Sequence, residues 1–158
     1  MLKPAFCFQT ELNLEYRKHL YSENFKFLIE DVWEFEITVD ANDSERLQFV
    51  SVNPANEVLA YFSASINRRL YKVDSVEVII FHNNSIASRD LMTFVKNLTG
   101  KFGFKKINFE GFVGSPGEKV YDKHLKILKA RIVGIKKNEV RLSDGKLYDV
   151  KLYEILPE

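Results

Sequence analysis

Between Arg46 and Phe81 the chain carries three strand-like runs in succession, and this run of strands constrains the fold more than any other feature. Phe49-Val50-Ser51-Val52, Val58 to Ile66 and Val73 to Phe81 are rich in β-branched and aromatic residues at near alternation, the pattern of pleated strands. Asn53-Pro54-Ala55-Asn56 reads as the turn between the first two, and Asn67 to Lys72 as the turn before the third. Three consecutive strands argue for an antiparallel first half of a sheet.

The period then changes. After His82-Asn83-Asn84, residues Leu91, Phe94, Val95, Leu98 and Phe102 recur at helical spacing, with Gly100 or Gly103 near the end. Next come a strand from Lys105 to Phe112, a Gly-Ser-Pro-Gly break at 114–117 and a helix from about Glu118 to Lys129. Val120, Tyr121, His124, Ile127 and Leu128 form the expected apolar side of that helix, and Lys119, Lys123 and Lys126 its wet side. The stretch from Arg131 to Leu156 alternates again around Asp144-Gly145, a hairpin signal because glycine tolerates a positive φ. Ahead of the strands, a short apolar opening is followed by Leu12 to Tyr21 and then Phe25, Leu28, Ile29, Val32 and Trp33, which place one apolar stripe on a helix that Asn24 can cap. Strand-helix-strand around residues 85–103 argues for one parallel pair in the middle of the sheet. Two such strands can splay at their ends and leave a crevice that opens on a helix N-terminus, where free N–H groups and the helix dipole favour phosphate.

Composition bounds the rest. A chain of 158 residues with 46% hydrophobic residues, among them 13 Phe and 7 Tyr, can bury a core without disulfides or metal, and a single domain over residues 1–158 is expected. The single Cys7, between Phe6 and Phe8, is expected to be a buried, inert thiol, and His19, His82 and His124 are too far apart to form a spaced metal-ligand set. No run approaches the ~20 apolar residues that span a bilayer, and the N-terminus lacks a secretory pattern, so the chain is expected in the cytoplasm without membrane contact. The net charge is +1, yet residues 1–82 carry 13 acidic against 8 basic side chains while 83–158 carry 9 against 15. A basic second half fits nucleic acid, a phosphate-bearing cofactor or a solvated surface.

Four segments carry a family likeness: Asn83-Asn84-Ser85-Ile86-Ala87-Ser88-Arg89-Asp90-Leu91, Gly114-Ser115-Pro116-Gly117-Glu118-Lys119-Val120-Tyr121-Asp122-Lys123, Arg131-Ile132-Val133-Gly134, and the closing hairpin from Leu142-Ser143-Asp144-Gly145 to Ile155. In this element order they resemble the GNAT superfamily of acyl-CoA N-acyltransferases, in the version with a degenerate cofactor loop. The resemblance implies an α+β fold in α/β/α layers: a mostly antiparallel central sheet of about seven strands, helices on both faces and a central splayed parallel pair. It implies acetyl-CoA as co-substrate, held by the main chain of Phe81, His82, Asn83, Asn84, Ser85, Ile86, Ala87 and Ser88. The family's loop pattern is Gln or Arg, two residues, Gly, one residue, then Gly or Ala; His82, Ser85 and Ala87 stand there, and Ala87 keeps the family type. Ser85 or Ser88 can equally act as a plain helix cap.

Tyr121 falls where many relatives place the tyrosine that protonates departing CoA thiolate, and Gly114-Ser115 stands where they carry Asn. A protonated amine needs a base before it can attack; the resemblance points to Glu77, with Glu110 as second choice and His82 and His124 as further candidates. The acceptor is a small-molecule or protein amine. A GNAT-like module without catalysis is the alternative, and a nucleic-acid-binding protein, motivated by the basic second half, a third. A homodimer through Val150 to Ile155 remains open, unless that segment is an interior strand.

Overall fold

The computed structural model describes residues 1–27 and 35–157. Among them seven strands form one sheet: β1 (Leu2–Pro4), β2 (Arg46–Val52), β3 (Val58–Asn67), β4 (Lys72–Ile80), β5 (Lys106–Phe112), β6 (Ala130–Arg141) and β7 (Leu147–Ile155). Their spatial order is β1-β2-β3-β4-β5-β7-β6. Every neighbouring pair is antiparallel except β4 with β5, so the mixed sheet with one central parallel pair is as the sequence implied. Three α-helices flank it: α1 (Gln9–His19), α2 (Ser85–Thr99) and α3 (Pro116–Leu128).

The two faces of the sheet bury separate apolar clusters. On one face Ala87, Leu91, Phe94 and Leu98 of α2 and Tyr121, Leu125 and Leu128 of α3 pack onto Phe62, Ile107, Phe109 and Tyr153. The Phe62 and Phe94 rings stack at 5.7 Å, and loss of the buried Phe94 ring to alanine would cost about 3–5 kcal/mol. On the other face Leu12 and Tyr16 of α1 cover Val50, Tyr61 and Ile79. Strand β3 lies between the two layers, which is why every residue from Val58 to Ala64 is buried.

Several expectations need correction. Cys7 is exposed: in the 3-10 turn Ala5–Phe8 only Ala5 is buried, and the three-residue period turns Phe6 and Cys7 outward. The N-terminal helix ends at His19 and a separate 3-10 turn, Glu23–Phe27, follows with Asn24 inside it rather than ahead of a helix; the continuation through Leu28, Ile29, Val32 and Trp33 lies outside the described residues. On α3, Val120 and Ile127 stay exposed, because only the narrow stripe Tyr121, Leu125 and Leu128 meets the sheet. Val150 to Ile155 runs inside the sheet between β5 and β6, so it offers no free edge for a dimer. Much of the basic surplus is taken up in ion pairs, Lys106 and Arg131 with Glu154, Lys137 with Asp149, and Lys151 with Glu118 and Asp122.

Candidate active site

The parallel strands β4 and β5 are in register only at Lys72 opposite Lys106 and Val73 opposite Ile107. Beyond that point β4 remains paired with β3 as far as Ile80, and β5 with β7 as far as Phe112, so the two diverge toward their C-terminal ends. Among the described residues no strand lies beside the main-chain N–H and C=O groups of β4 that face this wedge. Each strand then leads into a helix, β4 into α2 and β5 into α3. Two helix N-termini therefore flank the mouth of the wedge, an arrangement that favours anionic groups at the carboxyl ends of parallel strands.

The loop from β4 to α2 is tightly fixed. The N–H groups of Phe81 and His82 both donate to the Leu59 carbonyl at 3.0 Å, and Phe81 is buried. Asn84, not Ser85 or Ser88, caps α2: its side-chain oxygen accepts from the Ala87 N–H at 2.9 Å. Ser88 instead donates its hydroxyl to the Asn84 carbonyl at 3.1 Å. Ala87 is buried in the cluster with Leu91 and Phe94, so packing under the sheet already demands a small residue there. The N–H groups of Ser85 and Ile86, in the first turn, have no intrahelical partner.

His82 points back to α1. Its Nε2–H donates to Glu15 Oε1 at 2.8 Å, Lys18 Nζ donates to Glu15 Oε2 at 2.6 Å, and the His19 ring stands edge-on to His82 at 5.8 Å. Burial pushes the Glu15 carboxyl up, but the hydrogen bonds and charges of Lys18 and His82 outweigh it and hold it below the ordinary value. His82 thus clasps the loop to the first helix.

Tyr121, on the first turns of α3, is half-buried and packs edge-on against Phe109 at 5.2 Å and Tyr153 at 5.7 Å. Other inward tyrosines have partners: Tyr153 donates to Asp122 Oδ1 at 2.8 Å, and the Tyr61 hydroxyl accepts from Gln48 at 2.8 Å. Among the described residues the Tyr121 hydroxyl makes no hydrogen bond and is not sealed from solvent. Burial pushes its phenol up to about 12, and the charge of Glu77, on the β4 side of the wedge, adds to the shift.

Glu77 is exposed, opposite Ser63 on β3. The structure thus puts Glu77 and Tyr121 within electrostatic reach of each other. Glu110 is drawn aside, 3.7 Å from Lys136 of β6, and His124 donates from Nδ1 to the Val120 carbonyl of its own helix at 2.7 Å. Among the described residues no group of His, Cys, Asp and Glu could hold a metal ion, and no helix is long and apolar enough to cross a membrane.

Two features escaped the reading of the sequence. Ser115-Pro116-Gly117-Glu118 is a capping box: Glu118 N–H donates to Ser115 Oγ at 3.1 Å and Gly114 N–H to Glu118 Oε2 at 2.7 Å. Its S-x-x-E spacing was the available signal. The second is the polar network of Asp122, Tyr153, Lys151 and Glu118, which joins α3 to β7 across about thirty residues and has no local signature.

No family model and no curated protein matches this chain by sequence. Solved structures do match by shape. An N-acetyltransferase from Staphylococcus aureus Mu50 superposes with a TM-score of 0.75 at 13% identity, covering 99% of this chain and 97% of the other. A candidate phosphinothricin N-acetyltransferase gives 0.71 at 17% identity over 99% and 97% of the two chains. The spermidine/spermine N-acetyltransferase of Vibrio cholerae, solved in complex with manganese ions, gives 0.67 at 15% identity over 99% and 91%. The splayed β4–β5 pair, the helices around it and this agreement over nearly the whole chain establish that the protein is built on the GNAT N-acetyltransferase fold.

Proposed function

We propose that the protein is an acyl-CoA-dependent N-acetyltransferase that moves an acetyl group from acetyl-CoA to an amine. The observation that carries this reading is the unpartnered hydroxyl of Tyr121 beside a wedge opened by the β4–β5 divergence. A thioester arm suits such a wedge, because an extended chain of amides can take up the free main-chain groups of β4. The pyrophosphate suits the Ser85 and Ile86 N–H groups at the start of α2.

In the reaction the acceptor nitrogen attacks the thioester carbonyl carbon, the new C–N bond forms and the C–S bond breaks. Glu77 takes the proton that the amine sheds, and Tyr121 offers its hydroxyl to the departing thiolate. A phenol held near 12 is a hydrogen-bond donor rather than a strong acid toward a thiolate. Once Glu77 has accepted a proton its charge no longer opposes ionisation of Tyr121, so uptake of a proton at the base makes the acid more willing to release one. Solvent then returns the proton from Glu77 to Tyr121.

The test is titration calorimetry of acetyl-CoA and free CoA into the protein, followed by thiol release with a panel of primary amines. Micromolar binding with amine-dependent thiol release supports the reading, and absence of binding by either form removes it. One observation favours a second reading, a CoA-binding module without turnover. The Ala87 N–H is already taken by Asn84 and the His82 side chain by Glu15, which weakens the phosphate end of the site. Binding without thiol release across the panel would favour that alternative.

A further inference from the structure

The seat of the Tyr121 ring is built from three residues on two strands. Phe109 and Tyr153 stack face to face at 4.8 Å with their planes 5° apart, and the Tyr121 ring meets both edge-on. Below it lies Gly111, where a Cβ would approach Tyr121 Cδ2 to 3.3 Å and Tyr153 Cε2 to 3.4 Å. A side chain here would press on both rings and push the phenol a few tenths of an ångström away from β5.

The same Tyr153 also holds the backbone that carries Tyr121. Its hydroxyl donates to Asp122 Oδ1 at 2.8 Å, and Lys151, two residues earlier on β7, donates to Asp122 Oδ2 at 2.8 Å. Asp122 is the neighbour of Tyr121 in the chain, so both of its oxygens are anchored to β7 while the adjacent ring rests on it. Together with the apolar stripe and the Lys151–Glu118 ion pair, these bonds fix the rotation of this turn of α3 on the sheet.

We propose that Tyr153 is a positioning residue for Tyr121: its ring seats the Tyr121 ring, and its hydroxyl, through Asp122, sets the direction in which the Tyr121 hydroxyl points. This inference rests on the reading of Tyr121 as the group that faces the departing thiolate. Tyr153 itself touches no reacting atom in this account, because its own hydroxyl is committed to Asp122.

The experiment compares wild type, Tyr153→Phe, Asp122→Ala and the double variant in the full chain. Tyr153→Phe keeps the stacked ring and removes only the hydroxyl, so it is expected to fold. With acetyl-CoA and a primary amine that the wild type accepts, kcat for thiol release should fall about tenfold in either single variant, since small misplacements of a reacting group cost that much or more. The calorimetric Kd for acetyl-CoA should stay within about twofold, and the double variant should be no worse than Asp122→Ala alone, because that change already removes the oxygens to which Tyr153 and Lys151 donate. Independently of turnover, the ring resonances of Tyr121, assigned with Tyr121→Phe in tyrosine-labelled protein, should broaden or shift in both single variants. Wild-type kcat together with unchanged Tyr121 resonances in Tyr153→Phe would overturn the proposal. If the wild type releases no thiol with any amine, the proposed activity fails and the resonances alone decide: a shift retains the positioning role, and no shift overturns it.

Discussion

The side-chain oxygen of Asn84 accepts the Ala87 N–H at 2.9 Å, so the helix that borders the wedge is capped by its own chain before any ligand arrives. A phosphate at this end must displace that carboxamide or settle for the amides of Ser85 and Ile86. Asn84→Ala frees the third amide and costs about 1 kcal/mol of stability, the usual penalty for a lost cap. The expected outcome is a lower melting temperature with free CoA bound about fivefold tighter or better, because a hydrogen bond to a charged group is worth about 1.5–3 kcal/mol. Weaker CoA binding by calorimetry would mean that the carboxamide itself holds the ligand.

Glu77 and Tyr121 give a second prediction, with its sign set by electrostatics. A nearby negative charge disfavours the phenolate, so Glu77→Gln should lower the Tyr121 pKa from about 12 toward 10, with burial keeping it above the ordinary value. Titration of labelled tyrosine carbons by NMR reads this directly, and an unmoved Tyr121 would separate the two residues. Turnover at neutral pH should fall by about 10²–10⁴-fold, and less in alkaline solution, where the acceptor amine loses its proton unaided.

Lys151 is the hub between α3 and β7. Its Nζ lies 2.5 Å from Glu118 Oε1 and 2.8 Å from Asp122 Oδ2, and its side chain is only 12% exposed. Lys151→Met leaves two carboxylates facing each other and should cost about 2–3 kcal/mol in urea unfolding at pH 7, below the ~3–5 kcal/mol of a fully buried pair because Asp122 is partly solvated. The hydrogen bond from Lys151 is the main cause that holds the Asp122 carboxyl below its ordinary 3.8. A depressed carboxyl contributes stability above the unfolded pKa and loses it as pH falls through the folded one. The penalty should therefore shrink as pH falls below about 3.8, and a penalty of constant size would show that Lys151 acts through packing alone.

The order of strands and helices was legible because each run is long and its period clean, as in Val58 to Ile66 or Leu91 to Phe102. The central parallel pair followed from strand-helix-strand order. What stayed hidden was which side of a short or loosely packed element meets the sheet. In α3, Val120 and Ile127 flank the true stripe and are wet, since apolar spacing cannot tell a 13-residue helix how much of its face is covered. Cys7 failed for a related reason: its aromatic neighbours suggested a core, but a 3-10 turn buried Ala5 alone. At the candidate site, the loop and Tyr121 were singled out by the family resemblance alone, whereas the Asp122–Tyr153 and Glu15–His82 contacts join residues 31 and 67 positions apart. Such pairs follow from strand order, which no local pattern encodes.

Glu15 carries the last prediction, because it connects stability to the cofactor loop. The carboxylate is largely buried on α1, yet it binds Lys18 from its own helix and His82 from the loop that opens α2. Glu15→Gln keeps the shape but can no longer accept from both as an anion, and should cost about 1.5–3 kcal/mol at pH 7, the range for hydrogen bonds to a charged group. Its folded pKa lies below the ordinary 4.5, so this stability is present above that value and fades as pH falls through the folded one. The gap between wild type and Glu15→Gln in urea should accordingly close below about pH 4. Loss of the clasp should also loosen the start of α2, which amide hydrogen exchange over His82 to Ile86 reads as faster exchange than in wild type. A variant that loses stability while those amides exchange at the wild-type rate would restrict Glu15 to holding α1 and leave the cofactor loop fixed by its bonds to Leu59.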